Sequence, residues 1–297
     1  MKTLASPLPV FSAIIALLLL SIMDALVKAL GLHFPVVEIV FLRYAGGAVV
    51  SGAVFLLMRE KWPSRAMLRR AAFRSLIILC TAGLFFKTLT MLPLAEAVAI
   101  TFTSPLIMAL LGQIILKEPV GRRGAVALGI GFAGLVVMFQ GRFGSGGSHA
   151  DPLGYVYGLG ASVSYSLAMI LTRRDSARDS VVGLVTVQNL CAAAFSAPLA
   201  LPVFVTPEGL NVWLFAAVGI LGAFGHLAFA WAYAHAPASR LAPLEFTMLL
   251  WAPLFGLVMF GELPTIAMFA GSLLIVWAVV SVSRGGAKPA LRTDESA

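Results

Sequence analysis

The chain has 297 residues, of which 60% are hydrophobic and only 11% charged. Soluble domains carry about 45–50% apolar and about 25% charged residues, so the composition argues against a soluble globular fold. The net charge of +8 raises nucleic acid as a partner, but the basic residues form no single patch.

The first apolar run covers Leu8–Leu30 and follows Lys2. It is too long for a signal-peptide core and carries Asp24 and Lys28 where a small-residue cleavage site would be needed, so it reads as a span. Further spans follow at 35–58, 73–92, 94–116 and 122–140. A Gly/Ser-rich break, from Gly141 through Gly144, Ser145, Gly146, Gly147 and Ser148, marks a flexible linker. Five more spans lie at 153–172, 180–201, 210–233, 238–260 and 265–283. Each approaches the ~20 apolar residues that cross a bilayer. The expected organisation is a five-helix unit over 1–144, a linker at 145–151, a second five-helix unit over 152–284 and a polar tail at 285–297. Cys80 and Cys191 both sit inside apolar runs, form no CxxC and imply neither a disulfide framework nor a zinc site.

Ten spans place both termini on one side, and the loops test this. Seventeen of the 21 basic residues, from Lys2, Arg59 and Lys61 to Arg240, Arg284, Lys288 and Arg292, fall on that side. Arg142 alone falls on the other, and Lys28, Arg43 and Lys87 lie within spans. The positive-inside rule then makes both termini cytoplasmic, in the inner membrane of a bacterial cell. The basic balance reflects orientation in a lipid bilayer, with no nucleic-acid partner.

A shift of 144 residues lays the chain on itself. Pro93 meets Pro237, Phe102 meets Phe246, Thr103 meets Thr247, Leu106 meets Leu250, Leu110 meets Leu254, Gly112 meets Gly256 and Glu118 meets Glu262. Each repeat holds an odd number of spans, so the second enters from the opposite side. Inverted repeats of this kind recur among secondary transporters, with the substrate site near the midplane between them.

Three segments carry a resemblance: "MDALVKALGLHFPVVEIVFLRY" (23–44), "LPLAEAVAITFTSPLIMALLGQIILKEPV" (92–120) and "APLEFTMLLWAPLFGLVMFGELP" (242–264). Together with spans ending at Lys117–Glu118 and Gly261–Glu262, they resemble the drug/metabolite transporter superfamily, EamA type, from about residue 12 to 282. The resemblance implies an all-α integral membrane fold, with ten helices around a central cavity and the fifth and tenth peripheral. It implies transport of a small-molecule metabolite. Members export amino acids, other metabolites or drugs, or take up compounds such as S-adenosylmethionine or riboflavin. Within it, export of amino acids or related amphipathic metabolites is the larger expectation, although "DALVK…EIVFLRY" is similar to the uptake members.

Charges within spans are costly and mark functional candidates. Ser21, Asp24, Lys28 and Gly31 share one helix face, which must point away from lipid. Asp24, Lys28 and Lys87 are expected to bind substrate or gate the cavity, with Asp24 paired to Lys28 or Arg43. Glu38 and Arg43 read as structural ion pairs. The shift maps Asp24, Lys28 and Lys87 onto Ala168, Thr172 and Trp231, so the charged layer is not duplicated. Glu245 and His226, the latter on a face with Gly219, Gly222 and Tyr233, are candidates for a coupling proton. Thr101 and Ser104 line a stripe with Ala97 and Met108 beside Pro105. Tyr165 and Trp251 are cavity aromatics, with Met169 beside the former, whereas Trp213 and Trp277 read as interfacial anchors. Proline at 105, 243 and 253 frees backbone carbonyls that in a membrane must face protein or a water-lined cavity. Glu118 and Glu262 are expected to cap helix N-termini. Gly124, Ala127, Gly131 and Gly134 suit close helix packing, within the chain or in a homodimer.

A membrane enzyme would need paired carboxylates or an Asp/His constellation with metal spacing. The acidic residues are scattered and His33, His149, His226 and His235 lie far apart, so no catalysis, metal or cofactor is expected. An assembly factor would have little reason to keep charges in its spans. The linker lacks the GKS/T ending of a phosphate loop, which argues against ATP-driven transport.

Overall fold

The computed structural model describes residues 7–116, 126, 129–137, 152–175, 180–236, 241 and 244–285. The linker, the tail, Lys117, Glu118, Gly124, Ala127, His149 and Pro243 lie outside the described residues. Among the described residues every element is helical. In chain order these are α1 (Leu8–Leu30), α2 (Val36–Leu57), α3 (Arg65–Met91), α4 (Leu94–Thr101), α5 (Ser104–Leu116), α6 (Pro152–Asp175), α7 (Val181–Ala200), α8 (Leu210–His235), α9 (Met248–Phe260) and α10 (Ile266–Gly285). Residues 129–137 are also helical and belong to the fifth span. Five of these helices are long and apolar enough to cross a membrane, and shorter apolar helices accompany them.

Two differences from the sequence expectation have local causes. Helix α3 starts eight residues before its apolar window, because Ser64 caps it and accepts from Met67 N at 3.2 Å. Backbone hydrogen bonding is indifferent to polarity, so the cationic first turns stay helical. The fourth span, read as one helix over 94–116, is instead two helices joined by a turn at Phe102–Thr103. Pro105 has no N–H to give Thr101 C=O, and its ring crowds that carbonyl. Ser104 Oγ donates to the released carbonyl at 2.6 Å. Phe102 N and Thr103 N shift to the carbonyls three residues back, at 3.1 and 3.0 Å. The ninth span turns at Phe246–Thr247, the positions that a shift of 144 lays on Phe102–Thr103.

The most extensive contacts join the two halves of the chain: α1 with α8, α2 with α7 and α3 with α6, followed by α2 with α8 and α3 with α7, and α4 also packs on α9. Small residues allow this. A Cβ on Gly219 would sit 2.9 Å from Gly46 Cα, so α2 and α8 meet backbone to backbone. A Cβ on Gly134 would sit 2.7 Å from the Gly271 carbonyl oxygen, so the small face of the fifth span is covered by α10 of the same chain. Buried polar groups tie the pairs. Thr81 donates to Ser164 across α3 and α6 at 2.9 Å, and Asn189 donates to Ser51 across α7 and α2 at 3.3 Å. The rings of Phe102 and Phe246 stack at 5.4 Å between centroids, so the two turns touch. Large apolar side chains such as Val49, Leu57, Leu250 and Ile266 face outward, which suits lipid and not water. Trp213 and Trp277 are also outward-facing.

Candidate functional site

Four elements meet at one end of the bundle, where α1 ends, α3 turns into α4 and α9 turns towards α10. Lys28 Nζ pairs with Glu262 Oε1 at 2.8 Å, donates to Leu89 O at 3.1 Å and also reaches Leu92 O. Glu262 Oε2 accepts from Leu94 N at 2.7 Å. The carboxylate therefore caps a helix N-terminus, but that of α4 and not of the helix that follows it. Gly261 explains the direction. Its left-handed φ of 66° turns the chain back, so that Glu262 N reaches Gly256 O at 3.0 Å and the side chain points across the bundle. Lys28 thus faces Glu262, not Asp24.

One layer deeper, Asp24 is 3% exposed and makes no hydrogen bond or ion pair among the described residues. Its principal charged neighbour is Arg43 on α2. Arg43 is 5% exposed, and its Nε and Nη1 have no partner among the described residues. Its Nη2 lies 3.3 Å from His226 Nδ1 on α8, and its guanidinium lies over the Tyr44 ring at 4.1 Å. His226 Nδ1 is also 2.7 Å from Gly222 O. A carbonyl can only accept, so Nδ1 carries the proton and offers Arg43 no acceptor. Gly222 makes room for this meeting: a Cβ there would lie 3.0 Å from Met23 Sδ and 3.3 Å from Arg43 Nε.

Glu38 and Arg43 do not pair with each other among the described residues. They are five positions apart on one helix, about 140° around its axis. Glu38 Oε2 instead accepts from Val205 N at 3.0 Å and pins the α7–α8 connection, while its Oε1 is buried without a partner among the described residues.

The opposite half supplies a second cluster. Tyr233 on α8 donates to Glu245 Oε1, and Tyr165 on α6 is the further titratable neighbour of Glu245. Thr101 and Ser104 flank the turn of the fourth span. Both donate to their own backbone, at Val98 O and Thr101 O, each at 2.6 Å, so they keep only acceptor capacity. Among the described residues the Thr247 hydroxyl at the matching turn is buried without a partner, as are Ser21 Oγ and Trp251 Nε1. Lys87 is exposed on α3. The structure therefore brings Asp24 near Arg43, Arg43 near His226, and Glu245 near Tyr165 and Tyr233. It leaves Lys87 apart from both groups.

Sequence reasoning missed the Arg43–His226 contact and the buried pair in which Tyr155 donates to Glu96 at 2.6 Å. The first had a signal. Gly46–Gly47 in α2 and Gly219 and Gly222 in α8 mark helices that approach closely.

Among the described residues no cluster of His, Cys, Asp or Glu could hold a metal ion. The EamA-like transporter family model matches twice, over residues 7–140 and 152–284. The chain belongs to the EamA-like transporter family. It is a multi-pass membrane protein of the drug/metabolite transporter type, and its family is one of transporters, not enzymes. Over 283 residues it is 27% identical to the pseudopaline exporter of Pseudomonas aeruginosa, covering 93% of this chain and 95% of that one. The riboflavin transporter of Vibrio cholerae is 29% identical over 203 residues, covering 67% and 66% of the two chains. The S-adenosylmethionine uptake transporter of Rickettsia prowazekii is 23% identical over 273 residues, covering 91% and 90%. A solved crystal structure at 21% identity aligns with a TM-score of 0.63 over 96% of this chain and 98% of that one, which shows the fold alone.

Proposed function

We propose that this EamA-like chain is a secondary transporter that exports an amino acid or related amphipathic metabolite by alternating access between two inverted five-helix repeats, 1–144 and 152–284. The observation that carries the reading is the pairing of α1 with α8, α2 with α7, α3 with α6 and α4 with α9. A two-fold axis in the membrane plane exchanges the first and third of these pairs and maps the second and fourth onto themselves. The matching turns at Phe102–Thr103 and Phe246–Thr247, with their stacked rings, support the same axis. Discontinuous helices at a repeat interface suit a midplane substrate site. Both termini are cytoplasmic in this reading, and the membrane is the inner one.

Within it, the Lys28–Glu262 pair is a latch at the outer end, which draws the ends of α1, α3 and α9 together. Asp24, Thr101, Ser104, Tyr165 and Trp251 contribute to the path, and Lys87 receives solute at the mouth. Glu245, faced by Tyr165 and Tyr233, or His226, faced by Arg43, carries a coupling proton.

Everted membrane vesicles from cells producing the protein test the direction. Export predicts accumulation of labelled amino acids in these vesicles above vesicles without the protein. Accumulation only in right-side-out vesicles would make the chain an uptake carrier, the reading that the riboflavin and S-adenosylmethionine relatives favour.

A further inference from the structure

We propose that the α2–α3 connection and the first two turns of α3 form a binding site for an anionic phospholipid, with Arg65 and Arg69 receiving its headgroup phosphate. The inference goes beyond the transporter reading and does not depend on what is carried or in which direction.

Between positions 59 and 74 the chain carries Arg59, Lys61, Arg65, Arg69, Arg70 and Arg74 against a single carboxylate, Glu60. Arg65 and Arg69 are exposed and make no ion pair among the described residues. At 3.6 residues per turn, positions 65, 69, 73 and 76 fall within about 80° of one another around the helix axis. Arg65, Arg69, Phe73 and Leu76 therefore form one outward-facing stripe, and all four are exposed. The other face of α3, with Met67, Ala71 and Ser75, is buried. Along the exposed stripe the chemistry changes from cationic to apolar between Arg69 and Phe73, about 6 Å along the axis. A helix that passes from the headgroup layer into hydrocarbon shows this step. Trp62 precedes the stripe. It is 83% exposed, yet its ring packs on Phe55 of α2 at 5.8 Å between centroids, as an interfacial aromatic does.

Two plainer roles do not account for the stripe. The arginines do not stabilise the helix they stand on: its first turn holds no acidic residue, and cations there face the positive end of the helix dipole. Orientation in the membrane needs basic residues near a span end, whichever way they point, and does not need them aligned above apolar anchors. The chemistry of the stripe sets the ligand class. A guanidinium presents planar N–H donors that match a phosphate, and two of them four residues apart on one helix face can reach the same group. A free phosphate would meet the arginines but leave Phe73 and Leu76 uncovered. The acyl chains of a lipid cover them. A zwitterionic headgroup would bring its own cation beside the arginines, so the match is to an anionic phospholipid.

The test uses the purified full chain in nanodiscs made from equal parts of phosphatidylglycerol and phosphatidylcholine. Native mass spectrometry then identifies the last lipid to remain bound as the nanodisc is stripped away. The proposal expects phosphatidylglycerol to be retained over phosphatidylcholine by at least about fivefold, the preference that one surface cation gives. The double variant R65Q/R69Q is expected to bring the two lipids to near parity. Both positions are exposed, so the fold should persist, and an unchanged thermal midpoint in detergent checks that it does. The double variant K288Q/R292Q removes the same charge from the C-terminal tail and is expected to keep the parent preference. Equal retention of the two lipids by the parent protein would overturn the proposal without any variant. An unchanged preference in folded R65Q/R69Q, or an equal loss in K288Q/R292Q, would overturn it as well. None of these results bears on the transporter reading.

Discussion

Lys28 and Glu262 illustrate what a single residue does here. The carboxylate has two tasks, the ammonium of Lys28 and the amide of Leu94 at the start of α4. Glu262→Gln keeps a hydrogen-bonding shape but removes the charge, and leaves Lys28 with only backbone carbonyls. We expect a loss of about 2 kcal/mol in folding stability, read as a lower thermal midpoint in detergent. A double change of Lys28→Met with Glu262→Gln should cost less than the sum of the two single changes. An additive result would mean that the pair is not coupled. Gly261→Ala should cost about 1 kcal/mol, because its φ of 66° strains any side chain. Part of this was legible in the sequence. The carboxylate at 262 reads as a helix cap from its place beside a span end. Its partner does not, because nothing in a linear sequence gives the rotation that sets one helix against another. The same gap explains Arg43. Its burial follows from its position in a span, but its meeting with His226 depends on the axial register of α2 against α8. That register is set by glycine contacts spread over two helices.

At the scale of elements, the fourth span shows how one proline redirects a helix. The sequence marks Pro105 as a source of freed carbonyls, but not that Ser104 would take the carbonyl of Thr101 and stabilise a full turn at Phe102–Thr103. Three hydroxyls and a proline within five residues decide the outcome, and helix propensity alone would predict a continuous span. Pro105→Ala restores the lost N–H. We expect it to raise the thermal midpoint and to slow transport, because the turn then competes with an unbroken helix. Faster transport with a lower midpoint would contradict this account. The contact of α2 with α8 is stricter. Gly219→Val places branched carbons where Gly46 Cα already lies 2.9 Å from a Cβ position, against backbone that cannot rotate away. A cost of about 3 kcal/mol or failure to accumulate in the membrane is expected. Normal accumulation and stability would show that the two helices do not approach as described.

The whole molecule was the most legible scale. The helical membrane fold follows from hydropathy, which the bilayer sets and not packing detail; ten spans with cytoplasmic termini are the expectation drawn from hydropathy and from the placement of lysine and arginine. The described helices agree with an all-helical membrane fold, within which a repeat of 144 residues remains the reading that best accounts for the helix pairs. Reporter fusions should place the C-terminus in the cytoplasm; a periplasmic C-terminus would overturn the ten-span topology. Glu245→Gln or His226→Gln should abolish the dependence of transport on an imposed pH gradient if either carries the coupling proton. Asp24→Asn and Lys87→Ala should lower transport at least about tenfold while insertion persists. The most direct measurement is uptake by proteoliposomes of labelled amino acids, S-adenosylmethionine and riboflavin, each with and without a pH gradient. The account predicts saturable uptake of an amino acid or close relative, accelerated by the gradient. Saturable uptake of none, by protein shown to be folded and correctly inserted, would contradict it.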